Sequence, residues 1–530
     1  MLYTSYEFII FAAALVVLYY ALPRRCRPVC QPVLLLAASV IFFTSYAWYN
    51  LPFIAFTVLV SWGGGLFVAR VFSRGDAVIA ASEMSREEKK AYRAKVRGRA
   101  KAVMAATVVT DLSVLAVLKY YNFALHNFNS IFSFAANESD LFITLALPLG
   151  ISFYTFMCVG YVVDVYRRKY AAVKNPLRVA LFACYFPQLV QGPFSRYDET
   201  GDQLWSAHDF DGGRVSWAVL RIMWGYFKKM VLADRVVIAL NVLIGAPETY
   251  RGAYVFAAIV LYSLRIYADF TGGIDITIGL SEALGIRLQE NFIHPYFSKS
   301  IAEYWRRWHI TLGEWFKEYI FYPLSIAAPV NKLAKKLKTR LGAGFAKRFP
   351  VYVATIVTWF VTGIWHGAAW NFIAWGMANC IVILISQECS PLYEKFHEKT
   401  GIGTDGAWGA FMMVRTYLLM GAIRMFDCYA SVPKTFAAIG SIFTTWNPSV
   451  LADGSMLTLG LSAADYIVLA VGSAVIFIVS LLGEKRPIRE RMEEKPVLRT
   501  ALTAALVIVI LLFGIYGIGY DASQFIYNQF

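Results

Sequence analysis

The sequence predicts an all-α, polytopic integral membrane protein with roughly 10 to 13 transmembrane or re-entrant helices. Two observations carry this prediction. Hydrophobic residues make up 58% and charged residues 16% of the 530-residue chain, whereas a soluble domain is about 45–50% apolar and about 25% charged. Apolar runs of about 20 residues, long enough to cross a hydrocarbon layer of about 30 Å, recur along the chain.

Apolar runs and the charges beside them predict the individual spans. These predicted spans are 5–22, 33–50, 53–69, 102–124, 141–163, 215–243, 252–280, 409–426, 459–482 and 500–519. The segment 181–197 is less regular, because prolines and a glycine interrupt its apolar pattern. Such a pattern indicates a re-entrant segment or, alternatively, a kinked ordinary span.

The net charge of +15 has two possible meanings, nucleic-acid binding or membrane orientation. Basic residues cluster between the apolar runs, which is the positive-inside pattern of a multi-pass protein in the cell (plasma or inner) membrane. We therefore expect membrane lipid but no nucleic acid among the partners. The basic loops 70–101 and 331–349 are predicted to be cytosolic, with helical structure in the first, and the C-terminal tail 521–530 to be extracytoplasmic. These loops could also attract an anionic cytosolic donor.

No metal site, disulfide framework or bound cofactor is predicted. The seven cysteines lack paired metal-binding spacing. The sequence also contains no Walker loop, no HExxH and no GxSxG motif. A serine nucleophile is therefore unsupported.

Ionisable residues interrupt the apolar run 252–280. Arg265 and Asp269 are four residues apart, so a local ion pair on one helix face is expected, and Asp275 follows. A structural role is the simpler interpretation of this pair. The alternative is a transporter site, but a transporter predicts inverted repeats that the sequence does not contain.

The segment 291–324 is too charged to span a membrane and too aromatic to be a loose loop. It predicts helices that lie in the membrane interface, with tryptophan and tyrosine at headgroup level. His309 lies in its WRRWH sequence. From composition alone, this histidine is either an interfacial anchor or a functional group.

The run 351–387 contains no Asp, Glu, Lys or Arg, yet it includes His366. As one helix it would be about 55 Å long, well beyond a hydrocarbon layer of about 30 Å. Gly363 and Gly367 flank the histidine, so we expect a break there. Burial would keep the imidazole neutral and able to take a proton from a hydroxyl. The alternative is a histidine that only hydrogen-bonds a neighbouring helix.

Three motifs in order carry a family resemblance. They are YADFTGGIDITIGL at 267–280, ENFIHPYFSKSIAEYWRRWHITLGEWFKEYIFYPL at 290–324 and GIWHGAAWNFIAWG at 363–376. With them the sequence resembles the membrane-bound O-acyltransferase (MBOAT) superfamily. It is most similar to the bacterial alginate, peptidoglycan and cellulose O-acetyltransferase group, with the teichoic-acid D-alanylation member more distant. The resemblance is strongest over 145–376 and implies a single MBOAT domain over 1–530, with helices around a funnel.

The resemblance also implies the residues of a site. His366 corresponds to the catalytic histidine of the family and His309 to its partner. We expect the site-lining or substrate-binding residues to be Trp305, Arg306, Trp365, Asn371 and Asp269. His309 and Asn371 are the candidates for orienting the substrate or stabilising an oxyanion.

The C-terminal sequence FIYNQF, 525–530, resembles an aromatic tail of the same group. Tyr527 then occupies the place of a candidate acyl relay. Asn528 departs from the commoner pattern, which has an aromatic residue there. The alternative is that Phe525, Tyr527 and Phe530 form an interface anchor.

The resemblance implies an O-acyltransferase, in this group an O-acetyltransferase. It would take an acyl group from a cytosolic thioester, either acetyl-CoA or an acyl carrier thioester, and deliver it across the membrane to a cell-surface or secreted polysaccharide. An extracytoplasmic acyltransferase or esterase-like protein is the implied partner. The alternatives are D-alanyl transfer from a carrier protein to teichoic acid and, in a different class, a transporter.

Overall fold

The structure, a computed structural model, describes residues 1–133, 141–143, 147–517 and 520. The chain is 80% helical. Within those residues there is no strand, only an isolated bridge between Phe292 and Trp308. The predicted all-α class is confirmed.

The chain divides into two compact units, Met1–Val215 with Leu280–Gln289, and Ser216–Gly279 with Glu290–Phe530. The first contains the helices α1 (Tyr6–Ala21), α2 (Arg27–Ala47), α3 (Leu51–Ala81), α4 (Arg86–Phe132), α5 (Ile151–Tyr166), α6 (Pro176–Cys184), α7 (Phe186–Leu189) and α8 (Tyr197–Leu204), with a 3-10 turn at Trp48–Asn50.

The second unit holds most of α9 (Gly212–Tyr226) and of α11 (Ala253–Ala283), which each cross a unit boundary. Its other α-helices are α10 (Asp234–Gly245), α12 (Ile301–Arg307), α13 (Ile310–Phe316), α14 (Tyr322–Ser325), α15 (Ala328–His366), α16 (Trp370–Glu388), α17 (Ser390–Thr400), α18 (Gly406–Cys428), α19 (Val432–Thr444), α20 (Ala463–Lys485), α21 (Ile488–Met492) and α22 (Pro496–Phe513). Phe227–Ala233 and Lys317–Phe321 are π-helical, and Pro295–Phe297, Pro448–Leu451 and Ser455–Leu459 are 3-10 turns.

Eight helical stretches in the described part of the chain are long and apolar enough to cross a membrane. They are Arg27–Ala81, Arg86–Phe132, Ala253–Ala283, Ala328–His366, Trp370–Glu388, Gly406–Cys428, Ala463–Lys485 and Pro496–Phe513. The shorter apolar helices α1 and α5 coincide with two further predicted spans. The chain is therefore a multi-pass membrane protein.

The basic segment 70–101 is helical apart from a short turn between α3 and α4. Ser85 caps α4, since its hydroxyl accepts from the Glu88 N–H at 3.3 Å and the Glu88 carboxylate accepts from the Ser85 N–H at 2.8 Å. The helix α4 then runs without a break from its basic first turns into its apolar part. Gly75 lets the two helices approach, because a Cβ there would lie 2.6 Å from the Val96 side chain.

The irregular segment 181–197 forms two short helices, α6 and α7, followed by extended chain. The buried Gln188 side chain donates to the Pro193 carbonyl at 2.8 Å and to the Ser195 hydroxyl at 2.5 Å. Such side-chain bonds satisfy backbone groups that have left a helix. Neither helix is long enough to span a membrane by itself, and the re-entrant interpretation stays a prediction.

The predicted ion pair between Arg265 and Asp269 is wrong. Asp269 instead accepts from the Lys229 ammonium at 2.6 Å. Asp275 pairs with Lys228 at 2.5 Å. Both lysines lie in the π-helical stretch Phe227–Ala233, which is remote in sequence from α11, so the i,i+4 rule could not identify them.

The charge-free run 351–387 forms a helical hairpin, because α15 ends at His366 and α16 begins at Trp370. The predicted break is confirmed. Glycines allow the two helices to touch: a Cβ on Gly376 would lie 2.5 Å from the Trp359 carbonyl oxygen. A second break, at Gly342 with φ 83° and ψ 164°, lies within the basic segment 331–349 of α15.

Candidate active site

A joint between two short helices positions His309. The helix α12 ends before Trp308, and α13 begins after His309, whose φ of 47° and ψ of 51° are left-handed. Positive φ is uncommon for a residue other than glycine. The Ile310 N–H donates to the Asn291 carbonyl at 3.0 Å, which holds the joint in place.

Asn291 fixes the tautomer of His309. The Asn291 Oδ1 atom lies 3.2 Å from His309 Nδ1 and accepts from the Thr311 N–H at 3.2 Å and from the Thr311 hydroxyl at 3.0 Å. A backbone N–H can only donate, so Oδ1 is the acceptor and Nδ1 must carry the proton. The Nε2 atom of the neutral ring therefore carries a lone pair.

His309 is also held neutral by its surroundings. It is 4% exposed. Burial, and secondly the positive charge of Arg424, lower its pKa to about 3. The imidazole is therefore unprotonated at neutral pH and can accept, but not donate, a hydrogen bond at Nε2.

His366 is the last residue of α15 and lies among tryptophans. Its ring centroid is 4.3 Å from that of Trp375 and 5.0 Å from that of Trp365. The Trp365 ring in turn lies 6.2 Å from the His309 ring. The two predicted motifs, WRRWH and WHG, therefore meet in space.

One cavity of about 420 Å³ in the second unit is lined by both His309 and His366. Much of its wall is aromatic, from Phe270, Trp305, Trp308, Phe316, Trp359 and Trp375. A mostly apolar cavity with a few converging polar groups is typical of a small-molecule site.

Two of the predicted site-lining residues, Trp305 and Arg306, also line this cavity. Among the described residues, the lining does not include Trp365, Asn371 or Asp269. For these three, the structure does not support the predicted position. Tyr527 lies outside the residues that the structure describes.

Each of these three residues makes contacts outside the cavity lining. Trp365 is buried behind His309 and contacts the Phe316 ring. The Asn371 amide donates to the Phe426 carbonyl at 2.9 Å, which ties α16 to the end of α18. Asp269, as described above, binds a lysine. These three side chains therefore contribute to contacts between helices and not to the lining of the cavity.

Sequence reasoning missed the two buried charged residues of the cavity lining, Arg424 and Asp427. Both lie at the C-terminal end of α18, with side chains 3% and 4% exposed. The Arg424 guanidinium lies 4.3 Å from the Trp308 ring centroid and donates to the Tyr304 hydroxyl at 3.0 Å. Ionisable residues in an apolar span are candidate functional groups, but at the end of a span they also fit side chains that reach the interface.

Comparison with known proteins identifies the family. The model of the MBOAT, membrane-bound O-acyltransferase family matches residues 171–430, a range that contains both histidines, Arg424 and Asp427. Over these residues the chain belongs to the MBOAT family. The predicted resemblance is confirmed, and the cavity described above lies within the MBOAT region.

Three relatives of this MBOAT protein illustrate its similarity. A probable alginate O-acetylase, AlgI, from Azotobacter vinelandii is 33% identical over 365 residues, 68% of this chain and 63% of the relative. A peptidoglycan O-acetyltransferase from Helicobacter pylori is 28% identical over 316 residues, 55% and 56%. A teichoic acid D-alanyltransferase from Streptococcus thermophilus is 29% identical over 246 residues, 45% and 56%. The matches cover less than two thirds of the length of each relative.

Proposed function

We propose that the protein is a membrane O-acyltransferase that transfers an acetyl group from a cytosolic thioester across the membrane, for O-acetylation of a cell-surface or secreted polysaccharide. Acetyl-CoA is the proposed donor, and the cell (inner) membrane is the proposed location. An extracytoplasmic acyltransferase or esterase-like protein is the proposed partner. The names of the alginate and peptidoglycan relatives support acetyl transfer to a glycan.

The observation that carries this proposal is the single cavity lined by His309 and His366. Two imidazoles from separate motifs share a mostly aromatic cavity. An acyl transfer between a thioester and a hydroxyl needs a base near the attacking oxygen and a site that excludes water. The two imidazoles in one cavity support the first condition, and the mostly aromatic lining supports the second.

In the proposed reaction, His366 takes the proton of the accepting hydroxyl as its oxygen forms a bond to the thioester carbonyl carbon. The carbonyl π electrons move onto oxygen. When they return, the carbon–sulfur bond breaks, and the thiolate leaves and receives the proton from His366. The products are the acetyl ester and the free thiol, so atoms and charge balance.

His309 has a narrower role than expected from sequence. A neutral ring with its lone pair on Nε2 can accept a hydrogen bond from the attacking hydroxyl and so orient it. It cannot donate from Nε2 to a developing oxyanion. Asn371 does not line the cavity, so the stabilising donor must come from another residue.

The decisive experiment compares wild-type protein with His366→Ala. Membranes are incubated with radiolabelled acetyl-CoA, and label is counted on protein and on surface glycan. Loss of a general base should lower transfer by about 10²- to 10⁴-fold. His397→Ala is the matched control, since His397 lies on α17 and is not part of the cavity lining. Undiminished transfer by His366→Ala would contradict the assignment of the base.

Tyr527 is proposed as an acyl relay on the extracytoplasmic side. Tyr527→Phe removes the only hydroxyl of that side chain, so label should accumulate on neither this residue nor the glycan. If acyl label still reaches the glycan at the wild-type rate, the relay is excluded while the acyltransferase assignment stands. The interface-anchor alternative predicts that result.

D-alanyl transfer is the second candidate, favoured by the similarity to a teichoic acid D-alanyltransferase. It differs in its donor, a carrier protein rather than acetyl-CoA. The same membranes supplied with D-alanyl carrier thioester and with acetyl-CoA distinguish the two. Label from the carrier alone would replace the acetyl proposal.

A further inference from the structure

The cavity contains a buried cation that the reaction described above does not yet use. Arg424 lines the cavity together with His309 and His366, and its side chain is 3% exposed. A buried charge is costly unless protein hydrogen bonds and an opposite charge compensate it. The contacts of Arg424 therefore indicate what else it binds.

The protein leaves most donors of Arg424 unused. A guanidinium has five N–H donors, but within the described part of the chain the side chain makes one hydrogen bond, to the Tyr304 hydroxyl at 3.0 Å. Its Nη1 atom lies 3.9 Å from Asp427 Oδ2, too far for a hydrogen bond. Among the described residues, the buried Arg424 Nε and Asp427 Oδ1 atoms have no hydrogen-bond partner. Both residues line the cavity, so guanidinium donors that the protein does not use can bind a ligand there.

The position of this cation is nevertheless fixed. The guanidinium lies 4.3 Å from the ring centroid of Trp308, the residue before His309, which is a favourable cation–π distance. The Asn371 amide holds the Phe426 carbonyl, between Arg424 and Asp427, at 2.9 Å. A held, desolvated donor costs little reorganisation when negative charge develops beside it.

We propose that Arg424 donates hydrogen bonds to the thioester carbonyl oxygen and stabilises the negative charge that develops on it during acyl transfer. Trp308, Asp427 and Asn371 act as positioning residues for the guanidinium. This inference rests on the proposed function. It assigns to Arg424 the donor role that a neutral His309 cannot perform, and Arg424 forms and breaks no covalent bond.

The rival interpretation is that Arg424 only holds Tyr304 and Trp308 in place. Kinetics separate the two, because a donor that acts in the transition state changes kcat and leaves KM for the donor nearly unchanged. Full-length Arg424→Gln in membranes is assayed with radiolabelled acetyl-CoA over a range of concentrations, and rates are normalised to protein that elutes as a single folded species in detergent. We expect kcat to fall about 10²- to 10³-fold.

Arg499→Gln is the matched control. Arg499 is also buried, 8% exposed, and its guanidinium lies 4.9 Å from the Trp217 ring, but it does not line the cavity. Its kcat and KM should stay close to wild type. A fall in the control as large as in Arg424→Gln would show that losing any buried arginine is enough, and would overturn the inference.

Two other results also overturn it: an Arg424→Gln kcat close to wild type, or a raised KM at unchanged kcat, which would indicate ground-state binding. Where Arg424→Gln does not assemble, Arg424→Lys decides. Lysine keeps the charge but lacks the planar fork of donors, so the kcat of Arg424→Lys should be a tenth of the wild-type value or less at unchanged KM. A wild-type kcat for this variant refutes the proposal. If wild type itself transfers no acetyl group, the proposed function fails instead.

Discussion

Lowering the pH should destabilise this protein through His309. The ordinary pKa of this imidazole is 6.5, and in the folded protein it is about 3. Between these two values the unfolded chain binds a proton that the folded protein does not, so stability falls as the pH falls from 6.5 toward 3. One pKa unit corresponds to about 1.36 kcal/mol. From pH 7 to pH 5, His309 should therefore remove about 2 kcal/mol from the free energy of unfolding.

The assay is denaturant unfolding of the purified protein in detergent micelles at pH 7 and pH 5, for wild type and for His309→Gln. Glutamine does not titrate, so the pH-dependent loss should be smaller in the variant by about 2 kcal/mol. His294, whose pKa burial also lowers, is present in both proteins and cancels from the comparison. His397→Gln, a substitution on α17 outside the cavity lining, is the control variant.

Equal pH dependence in wild type and His309→Gln would refute this reasoning. It would mean that the folded protein protonates His309 as readily as water-exposed chain does. The lone pair on Nε2, on which the proposed orientation of the attacking hydroxyl depends, would then be lost near pH 6. The stability measurement therefore also tests a premise of the mechanism without any substrate.

Two further predictions concern the helix packing of the second unit. Gly376→Ala should cost about 1–3 kcal/mol of unfolding free energy, because its Cβ would lie 2.5 Å from the Trp359 carbonyl oxygen; Gly344→Ala, which meets nothing within 4 Å, should be neutral in the same denaturant titration. Lys229→Met should cost about 3–5 kcal/mol, because it removes the buried cation that pairs with both Asp269 and Asp234, and a midpoint equal to wild type would show that these ion pairs contribute nothing.

Sequence reasoning succeeded where the physical cause is local. The break at His366 follows from a run too long for one span and from the glycines beside it, and the structure ends α15 there. The sequence-based prediction failed where the cause is a tertiary contact. Asp269 finds its cation on a π-helical stretch distant in sequence, and periodicity within one helix cannot reveal such a partner.

The site shows the same division. His366 was found because an imidazole in a charge-free run is conspicuous in sequence. His309 lies in a charged segment, and the family resemblance assigned it to the site. Arg424 was missed, because it lies near the end of a predicted span, where a cation usually reaches the interface. Only the packing of α18 against Trp308 shows that this guanidinium is buried in the cavity.

The hairpin at His366 agrees with the orientation that the positive-inside rule predicts for the second half of the chain. The loops 331–349 and 485–499 are both basic, so the positive-inside rule assigns both to the cytosol. A single crossing by 351–387, followed by α18 and α20, would give three crossings and put these loops on opposite sides. In the described structure α15 and α16 are two separate helices. With α18 and α20 the number of crossings between the two loops is then four, so the loops share a side.

The number of crossings also predicts the depth of His366 in the membrane. The hairpin turn then lies at the end of α15 away from both basic loops. From Pro350 to His366 the helix rises about 24 Å, most of a hydrocarbon layer of about 30 Å. With this orientation, His366 would lie closer to the extracytoplasmic side than to the cytosolic side. In the proposed reaction, a cytosolic thioester would then reach most of the way across the membrane, and an extracytoplasmic acceptor hydroxyl would enter only a short distance.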